Sequence, residues 1–263
     1  MASPKHADAW RHTYAASLQL AHQFSPADWE RRTECPAWSV RDIVAHLIGA
    51  ELWTMGDRPE FELPDLDHVH KDFDRWSEVH VQQRRGTSTG DLLAEFQDVY
   101  DRRSTHLDTL DGAEETPTPW GFDAPVDQAL AYRVLDCWVH EQDLRRAVGR
   151  PGNLDSPAAR VVRAQILHTL PRLVAREARA EPGQVVRFEV TGQLPFDTDV
   201  AVDSDGMGVA QASTGHASVV LNTSWETFAR LCSGRVPANR APVTYMGNVE
   251  LGLRVAQALV LTP

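Results

Sequence analysis

The hydrophobic period changes partway along the chain, and this limits the possible folds more than any other feature. Up to about residue 150, apolar side chains recur every three or four positions, as one face of an α-helix requires. Trp10, Tyr14, Leu18 and Ala21 make one such stripe over residues 7–24. Val69, Phe73, Trp76 and His80 make a weaker one over 69–84, and Leu92, Phe96, Val99, Arg103 and Leu107 a third over 90–110. After Pro36, Ser39 and Asp42 form a capping-box start for VRDIVAHLIGAELWTM. The Pro- and Gly-rich TPTPWGFDAP reads as a loop, with Pro125 tolerated in the first turn of a helix running to about Val148. Gly149 and Pro151 then supply a stop. Four main long helices of this kind predict a bundle.

Beyond residue 150 a helix over 156–180 gives way to β-branched, alternating segments: VVRFEV (185–190), DTDVAVD (197–203) and ASVVLN (217–222). Thr223 and Glu226 predict a capping box for SWETFARLC; PVTYM (242–246) reads as a last strand and NVELGLRVAQALV as a last helix. The expected fold is therefore α+β in two domains, a helical bundle over 1–152 and a smaller α+β domain over 153–263. A length of 263 residues suits two domains better than one.

Composition narrows the function. With 26 Lys+Arg against 37 Asp+Glu, the net charge of −11 argues against a nucleic-acid or anionic-membrane surface. No apolar run approaches the roughly 18–20 residues that span a bilayer. The polar start MASPKHADAW lacks the apolar core of a signal peptide, so a cytoplasmic protein is expected. Cys35, Cys137 and Cys232 form no CxxC pair, which fits a reducing compartment and excludes a four-cysteine zinc site. The sequence carries no signal of oligomeric state.

Most of the 11 histidines read as ordinary. His6, His12, His22, His68, His70, His80 and His106 fall on polar faces or in loops and are expected to be solvated; His168 and His216 carry no signal. His46 and His140 differ, because each sits within an apolar helical segment. Asp136, His140 and Asp143 follow at spacings of four and three, which places them on one helical face. An imidazole and a carboxylate one turn apart can grip a single ion, and His46 from a facing helix would leave a fourth position open for water or a thiol. The competing reading is a buried polar network in which Asp136 pairs with Arg133. A zincin is excluded, since Leu144 stands where HExxH needs its second histidine.

The segments TECPAWSVRDIVAHLIGAE (33–51) and RVLDCWVHEQDLRRAVGRPG (133–152) resemble the mycothiol-dependent maleylpyruvate isomerase family. FARLCSGR (228–235) and VTYMGNVELGLRV (243–255) are similar to that family's tail. The resemblance implies a DinB-like four-helix bundle followed by a sterol-carrier-like α+β domain. It also implies a Zn²⁺ site, which maps onto His46, Asp136 and His140, with mycothiol as the thiol cosubstrate. The characterised isomerases carry Glu where this chain has the shorter Asp136, which separates the scaffold from any particular substrate. Asp143 is then expected to orient His140 or to pair with Arg146.

On that resemblance a metal-bound thiolate would either isomerise an electrophilic alkene or displace a leaving group. Arg235 and Arg133 are the candidate anion-binding groups. Cys137 is expected in the core, and Trp38, Trp53 and Trp138 are expected to pack rather than touch substrate. Two other functions compete. A metal-dependent hydrolase on the same ligands would need a general base, and Glu141 faces away. A non-enzymatic small-ligand-binding protein would keep the fold alone.

Overall fold

The computed structural model describes residues 4–58, 60–213 and 215–261; the first three residues of the polar N-terminal stretch lie outside them. Two compact units result, Met1–Val161 and Val162–Pro263.

In the first unit, α1 (Ala7–Ala21) and a one-turn α2 (Pro26–Trp29) precede α3 (Val40–Thr54). They are followed by α4 (Asp72–Arg84), α5 (Thr89–Leu107) and α6 (Val126–Val148). The bundle is formed by α1, α3, α5 and α6, with α4 laid along α3. Its core holds Trp10, Tyr14 and Phe96, all buried, with Tyr14 between the other two rings at 4.9 and 4.7 Å. The stripe read from α1 and α5 is thus the buried face. The capping box at the start of α3 is present, with Ser39 Oγ accepting from Asp42 N and the Asp42 carboxylate accepting from Ser39 N at 3.0 Å. Gly149 closes α6 in the left-handed conformation at φ 68°, where a side chain would be strained.

The segment read as a loop before α6 is instead a short antiparallel ribbon, β1 (Glu115–Pro117) with β2 (Asp123–Pro125). Its three residue pairs carry no hydrophobic alternation, so no strand signal was there to read.

α7 (Pro157–Arg172) runs across the division between the units and ends in a π-turn over Leu173–Glu177. In the second unit a five-stranded sheet has the order β5-β4-β3-β6-β7. Its members are β3 (Val185–Thr191), β4 (Phe196–Val202), β5 (Gly208–Gln211), β6 (Val219–Ser224) and β7 (Thr244–Gly247). β3 and β6 pair in parallel, from Val186 opposite Val219 to Thr191 opposite Ser224, and the other neighbours are antiparallel. Alternation buries Val186, Phe188 and Val190 on one side of β3. Phe228 of α8 (Trp225–Cys232) meets Phe188 and Phe196 edge-on, and α9 (Val249–Ala258) covers β6 and β7.

Two local expectations are corrected. β5 was not anticipated, because GVAQ is a half-exposed edge strand without alternation. α8 is capped by Ser224, which accepts from Thr227 N; Thr223 lies one residue too early, and its hydroxyl donates to the Pro242 carbonyl. The fold class is α+β in two units, as the change of period requires. Among the described residues no helix is long and apolar enough to cross a membrane.

Candidate metal centre

The cap at Ser39 starts α3 so that His46 falls two turns inside it, on the face turned towards α6. α6 presents Asp136 and His140 one turn apart. Where the helices meet, His46 Nε2 lies 3.2 Å from Asp136 Oδ2, and His140 Nε2 lies 3.5 Å from Asp136 Oδ1. The two imidazoles are 4.9 Å apart at 66°. One ligand atom from each of the three residues lies within 4.8 Å of the others. Both histidines are buried, while the Asp136 side chain keeps 23% exposure and opens one side of the cluster to solvent.

The surroundings fix these side chains. Asp143 performs both expected roles: Oδ2 accepts from His140 Nδ1 at 3.0 Å and Oδ1 accepts from Arg146 at 3.1 Å. That bond places a proton on His140 Nδ1 and turns Nε2 towards the cluster. Cys35 Sγ approaches the same Asp143 Oδ2 at 3.8 Å, and Arg146 also pairs with Glu34 at 2.7 Å, so the loop before α3 is tied to α6. From this loop Trp38 covers both imidazoles, with ring centroids 4.9 Å from His46 and 5.8 Å from His140. Its indole N–H donates to Glu78 Oε2 at 2.8 Å, and the buried Glu78 also receives Gln82 and meets His68.

Arg133 is buried and links the cluster to the bundle core. It donates from Nη1 to Asp136 Oδ2 at 2.8 Å and from Nε to Glu51 Oε1 at 2.9 Å. Glu51 is fully buried, accepts the Trp10 indole N–H at 3.0 Å, and pairs with Arg103 at 3.2 Å.

Charge follows from these contacts. Burial opposes ionisation of Asp136, but Arg133 and the two imidazoles outweigh it and hold its carboxyl well below the usual range. Burial likewise opposes protonation of His140, yet Asp136, Asp143 and Cys35 raise its pKa to about 10. His46 goes the other way, because burial is not fully offset by Asp136 and the neighbouring cations add to it. The three residues thus form a site that favours positive charge beside Asp136, where a bound divalent cation would compete with protons.

Other sequence expectations fared differently. His80, read as solvated, is buried on α4, where its ring occupies the space a Cβ on Gly49 would need, and burial lowers its pKa to about 3. Arg133, offered as an anion-binding group, has its guanidinium taken up by Glu51 and Asp136. Arg235 follows α8 in the second unit, half-buried, and donates to the Ser233 carbonyl at 2.8 Å. Glu141 faces away from the cluster and is bound by Thr13, Arg145 and Asn153. Cys137 is buried, and burial raises its thiol well above the usual range. Trp138 is buried, with its N–H on the Asn153 carbonyl, and Trp53 stands edge-on to Trp76.

Cys35, Glu51 and Glu78 were not singled out from the sequence. Each acts through a partner on another element, and no spacing within its own segment marks it.

Two histidines and a carboxylate on facing helices of a bundle make a candidate metal-ligand set. The family model of the mycothiol maleylpyruvate isomerase N-terminal domain matches residues 10–145, just over half the chain, and the chain belongs to that family. Among solved structures, the crystal structure of the mycothiol-dependent maleylpyruvate isomerase is similar at a TM-score of 0.56 and 14% identity, covering 92% of this chain and 91% of that one. A histidine-to-alanine mutant of that isomerase is similar at a TM-score of 0.54, with the same identity and coverage. At 14% identity these structures share the fold. No curated protein matches.

Proposed function

We propose that this chain is a cytoplasmic, metal-dependent thiol enzyme that uses mycothiol either to isomerise a small electrophile or to transfer the thiol onto one, with Zn²⁺ or a related divalent ion held by His46, Asp136 and His140. The observation that carries this reading is the convergence of three ligand atoms within 4.8 Å, on two helices, with one side open at Asp136.

The donor set fits the ion. Two imidazole Nε2 atoms and one carboxylate leave a fourth position free, and Asp143 already sets the tautomer of His140 that ligation needs. When bound, a Zn²⁺ ion supplies the charge that turns a thiol into thiolate at neutral pH. The chain's own residues do the rest. Arg133 holds Asp136 Oδ2 and keeps the carboxylate aligned between the two rings. Trp38, anchored by Glu78, lies against both imidazoles and limits their contact with water. The partly exposed edge of Asp136 is the side from which a thiol and an electrophile reach the centre. The hydrolase reading is weakened because Glu141, the carboxylate nearest in sequence, is bound elsewhere.

Elemental analysis of wild type and His140→Ala in parallel tests the reading. About one zinc per chain, lost in the variant, is expected of a single three-ligand site. A mycothiol titration of turnover then separates thiol chemistry from hydrolysis. Wild type prepared without chelators and found free of metal would overturn the proposal.

A further inference from the structure

We propose that the electrophile received at this centre is planar, aromatic and uncharged, and that it binds along a wall of aromatic rings running from His46 to the surface. The chemistry done on it rests on the function proposed above; the binding surface does not.

The wall is continuous. Trp76 of α4 meets His46 edge-on at 5.9 Å and Trp53 at 5.8 Å. Phe73 stacks on Trp76 at 5.4 Å, and Trp120 of the β1–β2 ribbon stacks on Phe73 at 5.8 Å, with the planes only 7° apart. Tyr132 and Phe122 complete it, at 4.9 and 6.3 Å from Trp120. Two of these rings lie on the helices that carry the proposed ligands. Tyr132 lies one turn before Asp136 on α6, and Trp53 lies two turns after His46 on α3.

What makes the wall unusual is its exposure. The core aromatics Trp10, Tyr14 and Phe96 are wholly buried, as clustered rings normally are. None of the six rings in the wall is buried, and Trp120 and Phe122 are 44% and 50% exposed. Contacting aromatics left open beside a polar centre mark a surface that gains by covering them with another flat apolar group.

Charge argues against a small anion. The segment 57–74, whose two ends meet the wall through Arg58 over Trp53 and through Phe73, carries seven Asp and Glu against Arg58 and Lys71. Arg133, the buried cation nearest Asp136, is already paired twice. A dicarboxylate would meet repulsion along this approach, whereas a neutral ring would not.

Equilibrium dialysis of the metal-loaded protein with meta-dinitrobenzene, a neutral planar probe without a leaving group, tests the inference. Saturable binding is expected, weakened roughly three- to tenfold in Trp120→Ala and Tyr132→Ala, the loss of one ring contact. Phe61→Ala, which removes an exposed ring outside the wall, is expected to bind as wild type does. Excess maleate is expected not to displace the probe. Unsaturable binding, equal binding in Trp120→Ala, or displacement by maleate would each overturn the inference. Metal content measured on the same samples keeps the two proposals apart. Probe binding by wild type that carries no metal as isolated supports the wall and overturns the metal chemistry, whereas metal retained without saturable probe binding overturns the wall alone.

Discussion

Replacing Glu51 by Gln removes the one negative charge that two core arginines share. The carboxylate is fully buried, and the side chains of Arg103 and Arg133 are each only 6% exposed. Gln preserves the size of the side chain and one acceptor oxygen for Trp10 Nε1, so the change is chiefly electrostatic. Taking one partner out of a buried ion pair generally costs about 3–5 kcal/mol, because the charges left behind lose compensation without regaining water. Asp136 still neutralises part of Arg133, and Arg103 meets Glu51 at 3.2 Å without an aligned hydrogen bond, so the lower end, about 3 kcal/mol, applies. For a unit of this size that loss corresponds to a fall in Tm of about 6–12 °C. Thermal melts and urea titrations at neutral pH measure it.

The pH dependence supplies a second check. Burial opposes the charge on Glu51, but the two arginines win and hold its carboxyl below the ordinary value of 4.5. A depressed carboxyl stabilises the fold above its unfolded pKa, and that contribution is lost as pH falls through the folded value. The wild-type and Glu51→Gln curves should therefore stay apart at neutral pH and converge on acidification. A triple variant with Arg103 and Arg133 also changed to Met should recover part of the loss, since no buried arginine is then left without Glu51, although Asp136 gives up its own bond to Arg133. A destabilisation under about 1 kcal/mol, or a gap that widens in acid, would refute the reasoning.

Three further outcomes are expected. Asp143→Asn should leave the helix intact while weakening metal retention about 10–100-fold, read by competition with a chromophoric chelator, because His140 loses the carboxylate that orients it. Gly49→Ala should destabilise the contact between α3 and α4 by about 1–3 kcal/mol in urea melts, since a Cβ there would lie 2.4 Å from His80. His80 stays neutral in the fold down to about pH 3 but takes a proton near 6.5 when unfolded. Stability should therefore fall by about 1.4 kcal/mol per pH unit below 6.5, a slope absent from the difference curve if His80→Leu behaves like wild type.

The parts of this architecture that could be read in the sequence are those written within a single element. The passage from helical to strand-like periods follows from patterns inside individual segments, as do the Ser39–Asp42 cap and the spacing of Asp136 and His140, and each has its counterpart in the structure. What escaped was tertiary. His80 looked solvated because its stripe on α4 is weak, and only the missing side chain of Gly49 on α3 makes room to bury it. Glu51 gains its meaning from arginines on α5 and α6, and Cys35 from a carboxylate 108 residues away. β5 owes its conformation to hydrogen bonds from β4 rather than to its own residues.

His46 and Asp136 are 90 residues apart, and this separation has a consequence during synthesis. A growing chain carries its first ligand long before the helix bearing the other two exists, so no partial product can hold an ion in the proposed manner. A cation so held would act only on the closed bundle. At a free concentration one hundred times its dissociation constant, it would add about 2.7 kcal/mol to the stability of that state alone. Starved of metal, newly made chains would spend longer open to proteases, and the cellular amount of this protein would follow the supply of the ion.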